Sequence, residues 1–150
     1  MALTEAMLTA SRALVAVAAR SLAVAAPADV TLPQYRALVV LAAQGPLRVG
    51  DLAEVLGIHP STATRLCDRL VQRQLVRRAV DRSNRRATTI SLSVGGRKIV
   101  DDGTEVRRGE TRGIVDRIPA ALREPAVAAL VAFAEAAGEP PQQAWTLGWS

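Results

Sequence analysis

Residues 50–92 read GDLAEVLGIHPSTATRLCDRLVQRQLVRRAVDRSNRRATTISL, and this stretch decides the fold. Its first half has the pattern of two short helices joined by a tight turn. Gly57 tolerates the left-handed conformation that ends the first helix, and Pro60 suits the first position of the second. The spacing predicts a helix-turn-helix. Its inward residues are expected to be Leu52, Ala53, Val55, Leu56, Ile58, Ala63, Leu66 and Leu70.

The outward face of the second helix is a row of hydrogen-bonding side chains close to its N-terminus. Such a row is suited to reading base edges in the major groove of DNA. An ordinary helical pair with a solvated polar face is the alternative interpretation of the same pattern. The row consists of Ser61, Thr62, Thr64, Arg65, Asp68 and Arg69.

A β-hairpin is predicted directly after the second helix. Residues 76–80 and 87–92 are rich in Val, Thr and Ile, which favours two strands, and the polar residues 81–86 between them are turn-prone. A helix-turn-helix followed by a hairpin makes a winged helix. The fold class is therefore mainly α with a small β-hairpin wing.

Positive charge is concentrated in this region. Residues 65–86 contain eight arginines and two aspartates, a net charge of +6, whereas the whole chain carries only +5. A positive field on one helix and one hairpin is typical of a surface that binds a phosphate backbone. Because every cation in it is Arg, it also suits bidentate contacts to phosphate or guanine.

The run LAEVLGIHPSTATRLCDRLVQRQLVRR, followed by NRRATTISLSVGG, resembles the MarR family of bacterial winged-helix transcription regulators, with similarity over about residues 31–118. The resemblance implies that the second helix enters the major groove, that Arg85 enters the adjacent minor groove, and that Arg86 braces the wing with Asp81 as a partner. Taken with the charge pattern, the expected DNA-binding residues are Ser61, Thr62, Thr64, Arg65, Arg69, Arg82, Arg85 and Arg86.

Two positions depart from the family pattern. His59 occupies the helix N-cap, where the family usually has Ser or a similar capping residue, and Asn84 stands where Asp is usual before the paired Arg. Neither departure breaks the motif. They put in question the strength of the cap and the rigidity of the wing.

Residues 3–25 are predicted to form a helix that is apolar over much of its surface, with Thr4 as its cap. The segment imitates a signal peptide, but Glu5 precedes it, no Lys or Arg lies in the first eleven residues, and Arg20 interrupts it. We therefore expect no targeting or membrane segment. Such a helix needs more apolar partners than one winged helix supplies, which indicates burial against a second subunit. Its apolar positions are Leu3, Met7, Ala10, Leu14, Val17 and Ala18.

The next helix has a capping box made by Thr31 and Gln34 and a hydrophobic staple made by Val30 and Tyr35. The resemblance places this helix where family members often have an effector cavity. Tyr35 and Arg36 are the expected effector-binding residues. Tyr35 as a plain core residue is the alternative.

Two further helices are predicted at the C-terminal side. Ser93 caps a long helix that reaches towards Ile118 and contains Gly109-x-x-x-Gly113, a spacing that permits close helix approach. A last helix follows Pro119 or Pro125. In the family the N-terminal and last two helices of two chains interleave into one dimer core. Residues 139–150, which hold Trp145 and Trp149, are expected to fold back onto these helices, with an effector-site lid as the alternative.

The sequence contains no residue pattern typical of a catalytic site. The chain has one His and one Cys, so a Cys/His metal cluster within one chain is excluded, and it has no Gly-rich phosphate loop after a strand. The lone Cys67 fits a reducing cytoplasm and is interpreted as a half-buried packing residue. A redox switch is the alternative. No metal and no cofactor are expected.

These patterns predict a homodimeric winged helix-turn-helix regulator that occupies a palindromic operator on double-stranded DNA, represses transcription and is released by a small-molecule effector. It is expected in a bacterial cytoplasm, at the nucleoid when DNA-bound. The alternatives are an architectural or constitutive DNA-binding factor without an effector, and a protein-interaction module on a winged-helix scaffold. The predicted units are an N-terminal dimerisation helix (1–30), the DNA-binding domain (31–93), C-terminal dimerisation helices (94–138) and a tail (139–150).

Overall fold

The computed structural model of the chain describes residues 2–27, 29–80, 84 and 87–139. These residues form six helices and a small antiparallel sheet, as the sequence predicts. In chain order the elements are α1 (Leu3–Ala25), α2 (Leu32–Gln44), β1 (Leu47–Arg48), α3 (Val49–Leu56), α4 (Pro60–Gln72), β2 (Val76–Val80), β3 (Thr88–Leu92), α5 (Val94–Val115) and α6 (Ala120–Ala136).

Helix α2 is the centre of the hydrophobic core. Its start has the predicted capping box: the Thr31 N–H donates to Gln34 Oε1 at 2.9 Å, and the Gln34 N–H donates to Thr31 Oγ1 at 3.4 Å. Eight of the nine residues from Gln34 to Ala42 are buried, because α3, α5 and the sheet surround this helix. The large side chains with almost no exposure are Leu38 and Leu41 of α2, Leu52 of α3, Leu70 of α4 and Ile90 of β3.

The sheet has the order β1-β3-β2, with both pairs antiparallel. Strands β2 and β3 are the predicted wing, in a register that pairs Val76 with Leu92 and Val80 with Thr88. The sequence gives no sign of β1, because two residues directly after Pro46 are too few to show an alternating pattern. Strand β1 pairs Leu47 with Ile90 and so attaches the wing to the start of the helix-turn-helix.

The helix-turn-helix has the predicted turn, but one residue predicted to face the core is exposed. Gly57 adopts the left-handed conformation, with φ +64°, and the Ile58 N–H donates to the Ala53 carbonyl at 3.0 Å. Ala53 is 2% exposed and faces the core as expected. Val55 is 43% exposed, so the prediction that it faces inward was wrong. A helix of eight residues buries a narrow stripe, which Leu52 and Ala53 fill.

Helix α5 depends on two glycines that allow close approach. A Cβ at Gly96 would lie 2.1 Å from the carbonyl oxygen of Leu75, and a Cβ at Gly103 would lie 2.4 Å from the hydroxyl of Tyr35. Gly109 and Gly113 differ, since a Cβ at either position would have no neighbour within 4 Å in the described part of the chain. The close approach predicted for the Gly109-x-x-x-Gly113 spacing is therefore not made by any described element of this chain.

The helix ends correct one predicted cap and confirm two others. Helix α1 has Ala2 at its N-cap, with no side-chain capping bond, so Thr4 is not the cap. Helix α5 is capped by Ser93, whose Oγ accepts from the Gly96 N–H at 3.0 Å, and it ends at Val115 instead of continuing to Ile118. Of the two prolines offered as starts of the last helix, Pro119 is its N-cap.

Helices α1 and α6 leave large apolar side chains in solvent. Only Val17, Ser21 and Leu22 of α1 are buried, and no residue of α6 is. So many large apolar side chains exposed on two helices indicate an interaction site. We call this surface the α1/α6 face; its large apolar residues are Leu3, Leu8, Leu14, Val15 and Val24 of α1 and Leu122, Val127, Leu130, Val131 and Phe133 of α6, each at least half exposed.

Helix α1 also satisfies the length and hydropathy of a membrane-spanning helix, with a mean hydropathy of 1.4 over its most apolar window. It is the one helix among the described residues that does so. Apolar core helices of other proteins pass the same test, so the property by itself is weak evidence. In this chain α1 packs along α5, and Arg20 forms a 2.7 Å ion pair with Glu110 across that contact.

We expect Gly96→Ala to lower the free energy of unfolding by about 1–3 kcal/mol. The new Cβ would clash with the carbonyl oxygen of Leu75, and that oxygen is already fixed by a hydrogen bond from the Ser93 N–H at 3.1 Å. Gly95→Ala is the matched control, since its Cβ would have no neighbour closer than 3.7 Å. Urea unfolding at one protein concentration, followed by circular dichroism, compares the two. Equal midpoints for both variants would contradict the prediction.

Candidate nucleic-acid interface

Helix α4 is held so that one face lies in the core and the other lies in solvent. Pro60 occupies its first position, and His59 is its N-cap, with Nδ1 accepting a hydrogen bond from the Ser61 N–H at 3.2 Å. The departure from the family pattern at His59 therefore still satisfies one free N–H group of the helix start. The inner face consists of Ala63, Leu66, Cys67 and Leu70, which are all buried.

The outer face of α4 presents the predicted polar row. Ser61, Thr62, Thr64, Arg65 and Arg69 are exposed. The Thr64 hydroxyl donates to the Pro60 carbonyl at 3.0 Å, and the Ser61 hydroxyl lies 2.8 Å from His59 Nδ1, so both hydroxyls have local partners. Arg65 and Arg69 form no ion pair with any residue that the structure describes. Both guanidinium groups are available to an anionic ligand.

Two ion pairs hold α4 in place. Neither pairing was predicted from the sequence. Asp68 of α4 accepts from Arg78 of β2 at 2.5 Å, which links the helix to the wing. Arg73, directly after α4, pairs with Asp29 between α1 and α2. This contact with Arg73 lowers the pKa of the Asp29 carboxyl. Because the partners of each pair are ten or more residues apart, helical spacing gives no signal for them.

The charged tip of the wing is only partly described. Arg82, Arg85 and Arg86 lie outside the described residues, as does Asp81. Their predicted contacts with DNA, and the predicted pairing of Asp81 with Arg86, therefore stay predictions. Strand β2 is exposed at four of its five residues, whereas β3 is mostly half-buried and its Ile90 is fully buried.

A groove of about 310 Å³ lies where the start of α2 meets the outer face of α4. It combines the Thr31 hydroxyl and the Gln34 side chain of the α2 capping box with Thr62, Arg65 and Arg69 of α4. Sequence reasoning placed these residues on separate elements and gave the capping box only a structural role. The groove adds hydrogen-bonding groups to the edge of the basic helix face.

A second cavity, of about 790 Å³, lies between α1, α2, α5 and the end of α6. Tyr35 and Arg36, the residues expected to bind an effector, both line it. Tyr35 is also a core residue at 3% exposure, so its two predicted roles are compatible. The other lining residues are Leu14, Ala18, Leu32, Pro33, Val39, Arg107, Ala134 and Glu139.

The hydroxyl of Tyr35 is buried and makes no hydrogen bond with a described residue. Burial raises the pKa of Tyr35, although Arg107 and Thr104 nearby lower it in part. The phenol therefore keeps its proton at neutral pH. The hydroxyl itself lies against α5 at Gly103 and is not open to the cavity. Arg36, which also lines the cavity, forms an ion pair with Glu139.

No group of three or more His, Cys, Asp or Glu side chains suited to hold a metal occurs in the described part of the chain. The single His and the single Cys of the chain, His59 and Cys67, are eight residues apart, at the N-cap of α4 and on its inner face. His59 is exposed, whereas Cys67 is buried. The arrangement has no nucleophile with an adjacent base.

The fold and this surface define a winged helix-turn-helix protein with a basic recognition helix. A family model described as "MarR family" matches residues 30–88. The crystal structure of RV1404 from Mycobacterium tuberculosis superimposes with a TM-score of 0.87 and 43% sequence identity, over 93% of this chain and 94% of that one. The chain belongs to the MarR family of transcriptional regulators.

Two curated relatives come from Bacillus subtilis strain 168. The chain is 35% identical over 71 residues to YfiV, an uncharacterised HTH-type transcriptional regulator, which is 47% of this chain and 44% of YfiV. It is 36% identical over 67 residues to the HTH-type transcriptional repressor MdtR, which is 45% of this chain and 43% of MdtR. The matches span less than half the length of these relatives. Both are regulators, in line with the expectation that the chain is not an enzyme.

Cys67 is fully buried, at 0% exposure, instead of half-buried as predicted. Burial raises the pKa of its thiol, with Arg78 lowering it in part. Since the thiolate is the reactive form, we expect iodoacetamide at pH 8 to modify Cys67 at least about tenfold more slowly in the folded protein than in urea. Mass spectrometry over time measures both rates. Equal rates would show that the thiol is accessible and would favour the redox alternative.

Proposed function

We propose that this chain is a DNA-binding repressor that occupies a palindromic operator as a homodimer and is released by a small-molecule effector. The observation that carries the proposal is the outer face of α4, where Arg65 and Arg69 are exposed beside a row of hydroxyl groups and pair with no acidic residue in the described part of the chain. Helices of this kind enter the major groove with their N-terminal residues at the base edges. The repressor function of MdtR supports the same direction of regulation.

The α1/α6 face supports the proposed homodimer. An apolar surface of this extent is costly in water, and burial stabilises it by about 25 cal/mol per Å². A second copy of the chain carries the same surface, so a two-fold contact covers both copies at once. Two α4 helices related by that two-fold axis require an inverted repeat in the DNA, with half-sites about one helical turn apart.

The cavity between α2 and the α1/α6 helices supports release by an effector. A ligand there touches α2, which carries the winged helix, together with α1 and α6, which form the proposed dimer surface. Such a ligand favours one separation of the two α4 helices over another, and an unsuitable separation weakens operator binding. We place the protein in the cytoplasm and, when bound to DNA, at the nucleoid.

Selection of bound fragments from random duplex DNA, at about 150 mM salt, tests the proposal directly. We expect enrichment of an inverted repeat with half-sites about ten base pairs apart. Binding without sequence enrichment, and lost as salt rises, would favour an architectural factor. No DNA binding at low salt would favour the protein-interaction module.

On the selected site, Arg65→Ala and Arg85→Ala are each expected to weaken binding by about 1–3 kcal/mol. Each change removes a guanidinium group assigned to a groove of the DNA. Arg117→Ala, an exposed cation after the end of α5, is the control for the loss of one positive charge. Fluorescence anisotropy at constant salt measures all three. Unchanged affinity of both Arg65→Ala and Arg85→Ala would remove the assigned contacts.

We expect Leu130→Asp to shift the protein from dimer to monomer, because it places a charge in the α1/α6 face, where Leu130 is 51% exposed in the single chain. Glu135→Arg, a charge change at an already polar position of α6, is the matched control. Sedimentation velocity over a range of protein concentrations gives the mass. If Leu130→Asp stays dimeric at every concentration, α6 does not form the dimer contact.

A further inference from the structure

The cavity of about 790 Å³ between α1, α2, α5 and the end of α6 has mostly apolar walls, from side chains such as Leu14, Leu32 and Val39. Leu32, the first residue of α2, is 40% exposed, so the described residues cover its side chain only in part. Water against such walls is unfavourable. Apolar cavities of about 300–1,000 Å³ are large enough to bury a bulky apolar group. A group that fills this one is therefore stabilised by removal of apolar surface from water.

The described part of the chain ends at this cavity. Glu139, its last residue, lines the cavity and forms an ion pair with Arg36 of α2. The pair fixes the point from which residues 140–150 continue. An extended chain advances at most about 3.6 Å per residue, so Trp145 lies within about 20 Å of Glu139 and can fold back to the cavity. A segment on so short a tether has an effective concentration on the order of millimolar.

Residues 140–150 have the composition and the pattern of a segment that binds an apolar surface. They read PPQQAWTLGWS, with both tryptophans of the chain and no charged side chain. Trp145, Leu147 and Trp149 alternate with smaller residues. Because successive side chains of an extended chain point to opposite sides, these three apolar side chains share one side. Their burial requires no charged side chain to leave water.

Arg107 gives the cavity a group that suits an indole ring. It lies on α5, lines the cavity and forms no ion pair with a described residue. A guanidinium group is attracted to the face of an aromatic ring, most strongly to that of Trp and when water is excluded. Arg36 is already paired with Glu139. Arg107 is thus the lining cation whose charge a tryptophan can satisfy.

Two other surfaces near Glu139 fit the segment less well. The α1/α6 face is assigned to the second copy of the chain, and a segment bound there would compete with the dimer. A groove between α2, Val55 of α3 and the end of α6 measures about 90 Å³. This is the volume of about three water molecules, which is too small for an indole ring. The larger cavity has the room that these surfaces lack.

We infer that residues 145–149 dock in this cavity, with their apolar side chains against its walls and an indole ring on Arg107. The occupant is a segment of this chain, so the cavity is filled when no external molecule is present. For regulation the inference rests on the proposed function: an effector that uses the same cavity has to displace the segment. The segment then raises the effector concentration that release of DNA requires.

Quenching of tryptophan fluorescence by acrylamide tests the docking on the full-length chain, without DNA or effector. Both tryptophans lie in residues 145–149, so the emission reports on this segment alone. We expect the quenching constant of the folded protein to be at least about threefold below its value in urea, because a packed indole is shielded from a dissolved quencher.

Leu32→Glu and Arg107→Gln test the location, since they change the lining on two different helices. Leu32→Glu should raise the quenching constant at least about twofold, because it places a charge against the apolar segment. Arg107→Gln should give a smaller increase. Val94→Glu is the matched control for Leu32→Glu: Val94 is the first residue of α5, 78% exposed and outside the cavity lining. Arg108→Gln is the control for Arg107→Gln.

Equal quenching of the folded and the urea-unfolded protein would overturn the docking. Protection that neither Leu32→Glu nor Arg107→Gln reduces would place the segment elsewhere, such as on the α1/α6 face, and would overturn the cavity as its site. Circular dichroism checks each fold. A change to Glu at the first position of a helix is compatible with the helix dipole, and Arg107→Gln decides the outcome if Leu32→Glu does not fold. Operator binding on the same preparations tests the proposed function separately, because the quenching requires no DNA.

Discussion

The structure depends on the burial of one face of α4. Leu66, Cys67 and Leu70 fix this helix against a core built around α2, and the turn at Gly57 sets its direction relative to α3. A helix that buries one face must present the other. The exposed hydroxyl and guanidinium groups of α4 are therefore held on a rigid element, and the ion pairs to Arg78 and Asp29 restrain it further. The side chains of this face are therefore preorganised, so that little conformational entropy is lost when a ligand binds them.

The helices at the two ends of the chain have apolar surface that the chain itself leaves exposed. Helix α6 buries nothing within the chain, and α1 buries only the side that meets α5. Apolar surface of this size cannot be explained by the stability of a single copy. The winged helix is thus complete within one chain, whereas the helices that flank it need a further surface. This division is consistent with separate roles for the middle and the ends of the sequence.

The cavity lies at the junction of these two parts. Its walls come from α2, which belongs to the winged helix, and from α1, α5 and the end of α6. Tyr35 lines the cavity, and α5 passes its hydroxyl at Gly103 at a distance that leaves no room for a Cβ. A polar hydroxyl buried without a partner is costly for folding. The buried hydroxyl is therefore part of the cost of packing α5 closely against α2.

The sequence by itself determined the local elements. The capping box at Thr31, the left-handed Gly57, the Pro60 start and the Ser93 cap act over three or four residues, so the pattern of residue types is enough to predict them. The excess of arginine between residues 65 and 86 was equally visible, because charge is counted along the chain. Errors at this level were small and also local, such as the inward prediction for Val55 and the cap at Thr4.

Only the tertiary structure decided which distant residues meet. Asp68 with Arg78, Asp29 with Arg73 and Arg36 with Glu139 are contacts between separate elements, and no spacing rule predicts them. The same holds for the full burial of Cys67 and for the two-residue strand β1, which exists only because β3 lies beside it. Local propensity acts through neighbours in sequence, whereas ion pairs, cavities and edge strands depend on how the whole core packs. For this reason the recognition helix was predictable from residue spacing, whereas the cavity was expected only from the family resemblance, and the packing of the core decided which residues of α1, α5 and α6 complete its walls.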